Sequence, residues 1–163
     1  MNHNITPHPS ELPSLLKPES TLRIPVDQYI VKAHLEWYDI SGLCPYSIGD
    51  TLTVLEEWAR AWYGVIYKST HKPESYPSNP LWQPAETMPP EFSRIKRTVA
   101  GVGVEQLWEF IDTKAMENYA REPLDTNWGA LKNTAVEEWN TIHPDNPYDP
   151  ELYCWTIKLK EAE

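Results

Sequence analysis

The chain has 163 residues, 40% of them hydrophobic, 12% aromatic and 23% charged, a globular composition at a length that suits one domain with a single core. A formal charge of −10 and a pI near 4.9 exclude general attraction to nucleic acid, which rests on phosphate neutralisation by Lys and Arg, so any such contact must be local. Cys44 and Cys154 lie far apart without CxxC spacing and are expected as reduced thiols of a cytoplasmic protein, and no apolar run approaches the roughly 20 residues of a membrane span.

The opening "MNHNITPHPSELPS" has neither a basic n-region nor an apolar h-region, and residues 1–20 are expected as a flexible arm ahead of a domain over 21–163. "YIVKAHLEWYDI" reads equally as a strand or a short helix. "CPYSIGD" is a turn punctuated by Pro45 and Gly49-Asp50. In "TLTVLEEWA" the residues Leu52, Val54, Glu56 and Trp58 share one face of a strand, so Glu56 points where apolar residues point. "AWYGVIYKS" reads by pattern as its partner strand, and residues 69–91, proline-rich and polar, form a long loop. Arg94 to Val104 alternates again, with Gly101 and Gly103 marking a bulge or a close backbone approach.

"EFIDTKAMENYA" predicts a helix with Asp112 as N-cap and Ile111 and Met116 as a hydrophobic staple. In "DTNWGALKNTAVEEWNTIHP" an apolar stripe of Trp128, Leu131, Ala135, Trp139 and Ile142 predicts a second helix, stopped by Pro144, with both tryptophans in the core. "LYCWTIKLK" predicts a strand with Tyr153, Trp155, Ile157 and Leu159 on one face and Cys154, Thr156, Lys158 and Lys160 on the other. The element order suggests an α+β domain, a small antiparallel sheet or barrel with two or more packed helices.

Four blocks, "CPYSIGDTLTVLEEWA", "WQPAETMPPEFSRI", "GVGVEQLWEFIDTKAMENY" and "EEWNTIHPDNPYDPELYCWTIKLK", stand in the order and approximate spacing of the phage- and prophage-encoded ASCH-like proteins of the PUA superfamily. The chain resembles that family over residues 43–160. The resemblance implies a PUA-like β-barrel in a bacterial host cell, a phage-derived module that binds a nucleotide, RNA or other single-stranded nucleic acid. Some cellular ASCH proteins hydrolyse acetylated cytidine, so an amidohydrolase on modified nucleosides is the alternative. The nearest counterparts of its catalytic groups are Lys17 and Thr21 in "KPESTLR", and Glu117, one residue from the aligned Asn118. Leu55 and Glu57 replace the family's Arg and Thr, and Glu86-Thr87 its Ile-His, so a basic pattern has turned acidic. That change suggests a third reading, an acidic module that inhibits a host nucleic-acid-binding protein.

Arg94, Lys96 and Arg97 concentrate three of the fourteen basic residues within four positions. Arg94 suits a phosphate or base edge, and equally an ion pair with Glu56, whose inward carboxylate needs one. With Lys96 and Glu56 it lines the expected nucleic-acid-binding site, where Trp82, held between Pro80 and Pro84, and Trp58 offer stacking faces; Trp62 and Trp108 are further candidates. For hydrolysis, Lys17 or Thr21 would act as nucleophile and Glu117 as base. His3, His8, His34, His71 and His143 show no pair at ligand spacing, and neither a metal nor a cofactor is expected.

Overall fold

The computed structural model describes residues 1–9, 11–27, 40–121 and 127–162. Its strands are β1 (Asn2–Ile5), β2 (Glu19–Pro25), β3 (Thr51–Val54), β4 (Trp58–Ala61), β5 (Gly64–Tyr67), β6 (Ile95–Gln106) and β7 (Tyr153–Glu161). Its helices are α1 (Leu12–Leu15), α2 (Leu107–Arg121) and α3 (Trp128–Ile142). Five strands form a mixed sheet in the order β1-β3-β6-β7-β2, and β4 pairs with β5 in a separate hairpin. This is an α+β fold, and no closed barrel forms among the described residues. The stretch read equally as strand or helix lies, but for Ile40, outside those residues. No helix among them is long and apolar enough to cross a membrane.

Two compact units divide the chain, each assembled from separate segments. Unit 1 comprises Met1–Thr21, Tyr46–Gly101 and Lys158–Glu163; unit 2 comprises Leu22–Pro45 and Val102–Ile157.

In unit 1 the expected arm is instead structured. β1 pairs in parallel with β3, Asn2 opposite Thr51 and Ile5 opposite Val54, and Leu12 and Leu15 of α1 are buried. A four-residue strand as polar as "NHNI" carries little local signal; a non-local partner holds it. The carboxylate of Asp50 collects the N-terminal amine of Met1, the Ser47 backbone N–H at 2.9 Å and His3 Nε2 at 3.1 Å. β3 runs antiparallel to β6, with Thr53 opposite Lys96 and Leu52 opposite Arg97. Period two fails after Val54, because every residue from Leu52 to Glu56 is buried and the strand ends before Leu55. β4 and β5 are joined by Trp62-Tyr63, and Gly64 follows at φ +140°, a region that favours glycine.

In unit 2, Leu107, Ile111, Ala135, Trp139 and Cys154 form one buried cluster, with Phe110, Val136, Tyr148 and Leu152 packed around it. α3 matches its predicted stripe at Leu131, Ala135 and Trp139, but Trp128 is 41% exposed, because it opens the helix and lies beside Lys132, whose Nζ stands 5.5 Å from its ring centroid. α2 corrects the predicted start: Asp112 lies within the helix and pairs with Lys132 at 2.6 Å, and Met116 is exposed, so neither the cap nor the staple forms. The chain turns directly from β6 into α2, where Leu152 O accepts the Leu107 N–H at 2.7 Å.

Candidate functional site

The site is built on Glu56, in the link between β3 and β4 and only 1% exposed at its side chain. A carboxylate so enclosed requires compensating charge and hydrogen bonds. Arg94 supplies them from the residue before β6: Nε donates to Oε1 at 2.9 Å and Nη2 to Oε2 at 3.1 Å, a forked pair. Ser69 Oγ donates to Oε2 and accepts from Arg94 Nη2 at 3.0 Å. The guanidinium carbon lies 4.2 Å from the Tyr67 ring centroid, and the Tyr67 hydroxyl is fixed by donating to Phe92 O at 2.7 Å. Arg94 nevertheless keeps 31% of its side chain exposed, and among the described residues nothing accepts from its Nη1.

Apolar packing holds this arrangement from beneath. Leu55, Ala85 and Met88 form a buried cluster on which Trp58, Tyr67 and Phe92 rest half-buried. The hairpin register places Trp58 opposite Tyr67, and the Trp58 ring meets Phe92 edge-on at 5.6 Å. The loop returns to β4 through Gln83, which exchanges backbone hydrogen bonds with Trp58 at 2.7 and 3.2 Å. Trp82, next to that bridge, is half-buried and meets His71 edge-on at 5.3 Å. The backbone N–H of His71 donates to Tyr67 O at 3.0 Å, and its Nε2 is buried without a hydrogen-bond partner among the described residues.

The structure therefore brings Glu56, Arg94 and Trp58 into one cluster and ties Trp82 to it through Gln83 and His71. Lys96 lies elsewhere, exposed on β6. Arg97, alternating with it, is 6% exposed and donates to Leu15 O at 3.0 Å, so it holds α1 rather than a ligand. Trp62 is 85% exposed at the hairpin tip; Trp108, the second residue of α2, donates to Gln106 Oε1 at 2.8 Å. Of the hydrolase candidates, Lys17 is exposed and Thr21 half-buried on β2 in unit 1, with no hydrogen bond between them, and Glu117 is exposed on α2 in unit 2. Cys154 is no nucleophile: burial first, then the neighbouring Glu105 carboxylate, pushes its thiol up to about 12.

Tyr67, Ser69, His71 and Phe92 are the site residues that sequence reasoning missed. Counting outward from a two-residue turn at Trp62-Tyr63 pairs Tyr67 with Trp58, so that member carried a signal; the others arrive on loop backbone with no periodicity to reveal them. Charge also divides unevenly. Unit 1 holds nine Lys and Arg against ten Asp and Glu, a net −1, whereas unit 2 holds five against fourteen, a net −9. Set against protein-family models, curated proteins and solved structures, the chain has no match among any of the three.

Proposed function

We propose that this chain is a phage-derived, PUA-like module that binds a nucleotide or a single-stranded nucleic acid, with Arg94 as its recognition group. One observation carries the reading: a guanidinium held by the Glu56 fork along one edge and by the Tyr67 ring on one face, with Nη1 left to donate. A donor so positioned loses little freedom on meeting a phosphate oxygen or a base edge. Trp82 and Trp58 add half-exposed aromatic surface, and stacking of a base on such a ring contributes about 1–3 kcal/mol. Unit 1, which carries Arg94, sums to a net charge of only −1 against −10 for the whole chain. Because Glu56 already neutralises Arg94, mononucleotide affinity rests on stacking and edge recognition more than on net charge.

The PUA-like assignment rests on the four sequence blocks. The barrel it implies would protect the outer backbone amides of β1 and β2, which hydrogen exchange reads directly. Binding is tested by titrating nucleoside monophosphates and short single-stranded RNA and DNA into wild type, Trp82→Ala and a Glu56→Gln/Arg94→Gln double variant. The double variant leaves no lone buried charge, so its fold is retained. Both variants should bind at least roughly fivefold more weakly, the low end of one lost stacking or edge contact. Binding indifferent to both changes would overturn the proposal.

A further inference from the structure

Unit 1 presents a second feature that the Arg94 cluster does not use, a polar sheet face with three lysines. On β6, Ile95, Arg97 and Val99 are buried while Lys96 and Ala100 are exposed; on β7, Leu159 is buried while Lys158 and Lys160 are exposed. The register carries the face across the sheet: Lys96 stands opposite Thr53, which is buried and stands opposite the exposed Asn4, and Thr98 stands opposite Thr51, which stands opposite the exposed Asn2. Ala162 N–H donates to Lys96 O, whereas the Lys158 stem lies 3.6 Å from where a Gly101 Cβ would stand. The pairing thus shifts by one residue along β6, the mark of a bulge, and this brings Lys158 and Lys160 to the same face as Lys96. Gly101 leaves room for the Lys158 stem to lie along the sheet with its ammonium in solvent.

The carboxylate that this face carries on β6, Glu105 beside Cys154, is paired with Arg23 at 2.6 Å, and none of the three lysines is ion-paired among the described residues. Glu19, exposed on neighbouring β2, makes no ion pair with them either. Lysines two residues apart on a strand, or diagonal across a pair, stand about 7 Å apart, on the order of one nucleotide step. The face follows Arg94 directly in the chain, Lys96 being two residues on. In a molecule with ten excess negative charges, three exposed, unpaired lysines on one polar face are complementary to a polyanion.

We infer that Lys96, Lys158 and Lys160 form a track for the phosphodiester backbone of a single strand, so that the ligand of this module is an oligonucleotide and not a mononucleotide. The inference rests on the reading of Arg94 given above, and the two fail separately. The probes are a mixed-sequence single-stranded RNA octamer and the four nucleoside monophosphates, with wild type, Lys158→Ala/Lys160→Ala and Lys158→Arg/Lys160→Arg compared. Three phosphate contacts on a single strand give a slope of log affinity against log salt near −2, and removing two leaves about −0.7. Between about 50 and 200 mM salt, wild-type octamer affinity should then fall roughly 16-fold and that of the alanine variant roughly 3-fold. The arginine variant should keep the wild-type slope, and mononucleotide binding should be the same in all three proteins. An unchanged octamer slope in the alanine variant overturns the track while leaving the Arg94 site intact, and it is also the outcome if this face serves an acidic protein instead. Absence of binding by either probe to wild type overturns both readings.

Discussion

Removing Arg94 would leave the Glu56 carboxylate enclosed with only the Ser69 hydroxyl to satisfy it, and removing Glu56 would leave a guanidinium on Tyr67 with its forked edge empty. Each single change to Gln should therefore cost about 3 kcal/mol, the lower end for a broken buried pair because Arg94 keeps partial contact with water. The double variant should cost clearly less than the sum, since no lone charge remains. A urea-unfolding cycle reads this, and additive single costs would mean that the pair is not coupled. Asp50 gives a second expectation. The N-terminal amine, then the Ser47 N–H, hold its carboxyl at about 2 in the folded chain, against an ordinary 3.8. A folded value below the unfolded one means that the contribution is fully present above about 3.8 and is lost as pH falls towards about 2. Asp50→Asn should flatten the acid limb of the stability curve in that window, as urea unfolding at a series of acid pH values would read.

At the scale of the element, α3 separates two tryptophans that its stripe treats alike. Trp139 is 3% exposed, packs against Phe110 and donates its indole N–H to Asn146 O at 2.9 Å, whereas Trp128 is 41% exposed in the first helical position. Trp139→Ala should cost roughly 3–5 kcal/mol by large core truncation, and Trp128→Ala under about 1 kcal/mol. Equal costs in thermal or urea unfolding would contradict the burial difference. Asn127 caps this helix, accepting from the Gly129 N–H at 2.9 Å, so the helix start is set by that side chain and not by Trp128. On β6, exposed Lys96 and buried Arg97 are neighbours in sequence with opposite work, one facing solvent and one tying α1 to its sheet.

For the molecule as a whole, the net charge of −10 is largely the charge of unit 2. Three of that unit's cations are already committed: Arg23 to Glu105, Lys114 to Glu138 and Lys132 to Asp112. The remaining carboxylates repel one another in water and are screened by salt, over about 10 Å at 0.1 M. The melting temperature should therefore rise as sodium chloride is raised from low to moderate concentration, because screening relieves more repulsion than it weakens exposed pairs. Scanning calorimetry at neutral pH measures the effect, and a falling melting temperature would mean that the ion pairs outweigh the repulsion.

Residue type and period were enough for several features. The 3.6-residue stripe located α3, alternation located β7, and an inward carboxylate beside a basic run required the Glu56–Arg94 pair. These depend on chemistry within a few residues or on a charge that burial makes too costly to leave alone. What tertiary structure alone decided depends on partners distant in sequence. β1 exists because β3 pairs with it, α2 starts where Leu152 O accepts from Leu107, and Tyr67 becomes a platform only once Arg94 reaches it. The lysine face needs two strands about 60 residues apart and a bulge between them. The near-neutral charge of unit 1 emerges only when discontinuous segments are gathered into units, because a sequence total adds charges without regard to where the fold places them.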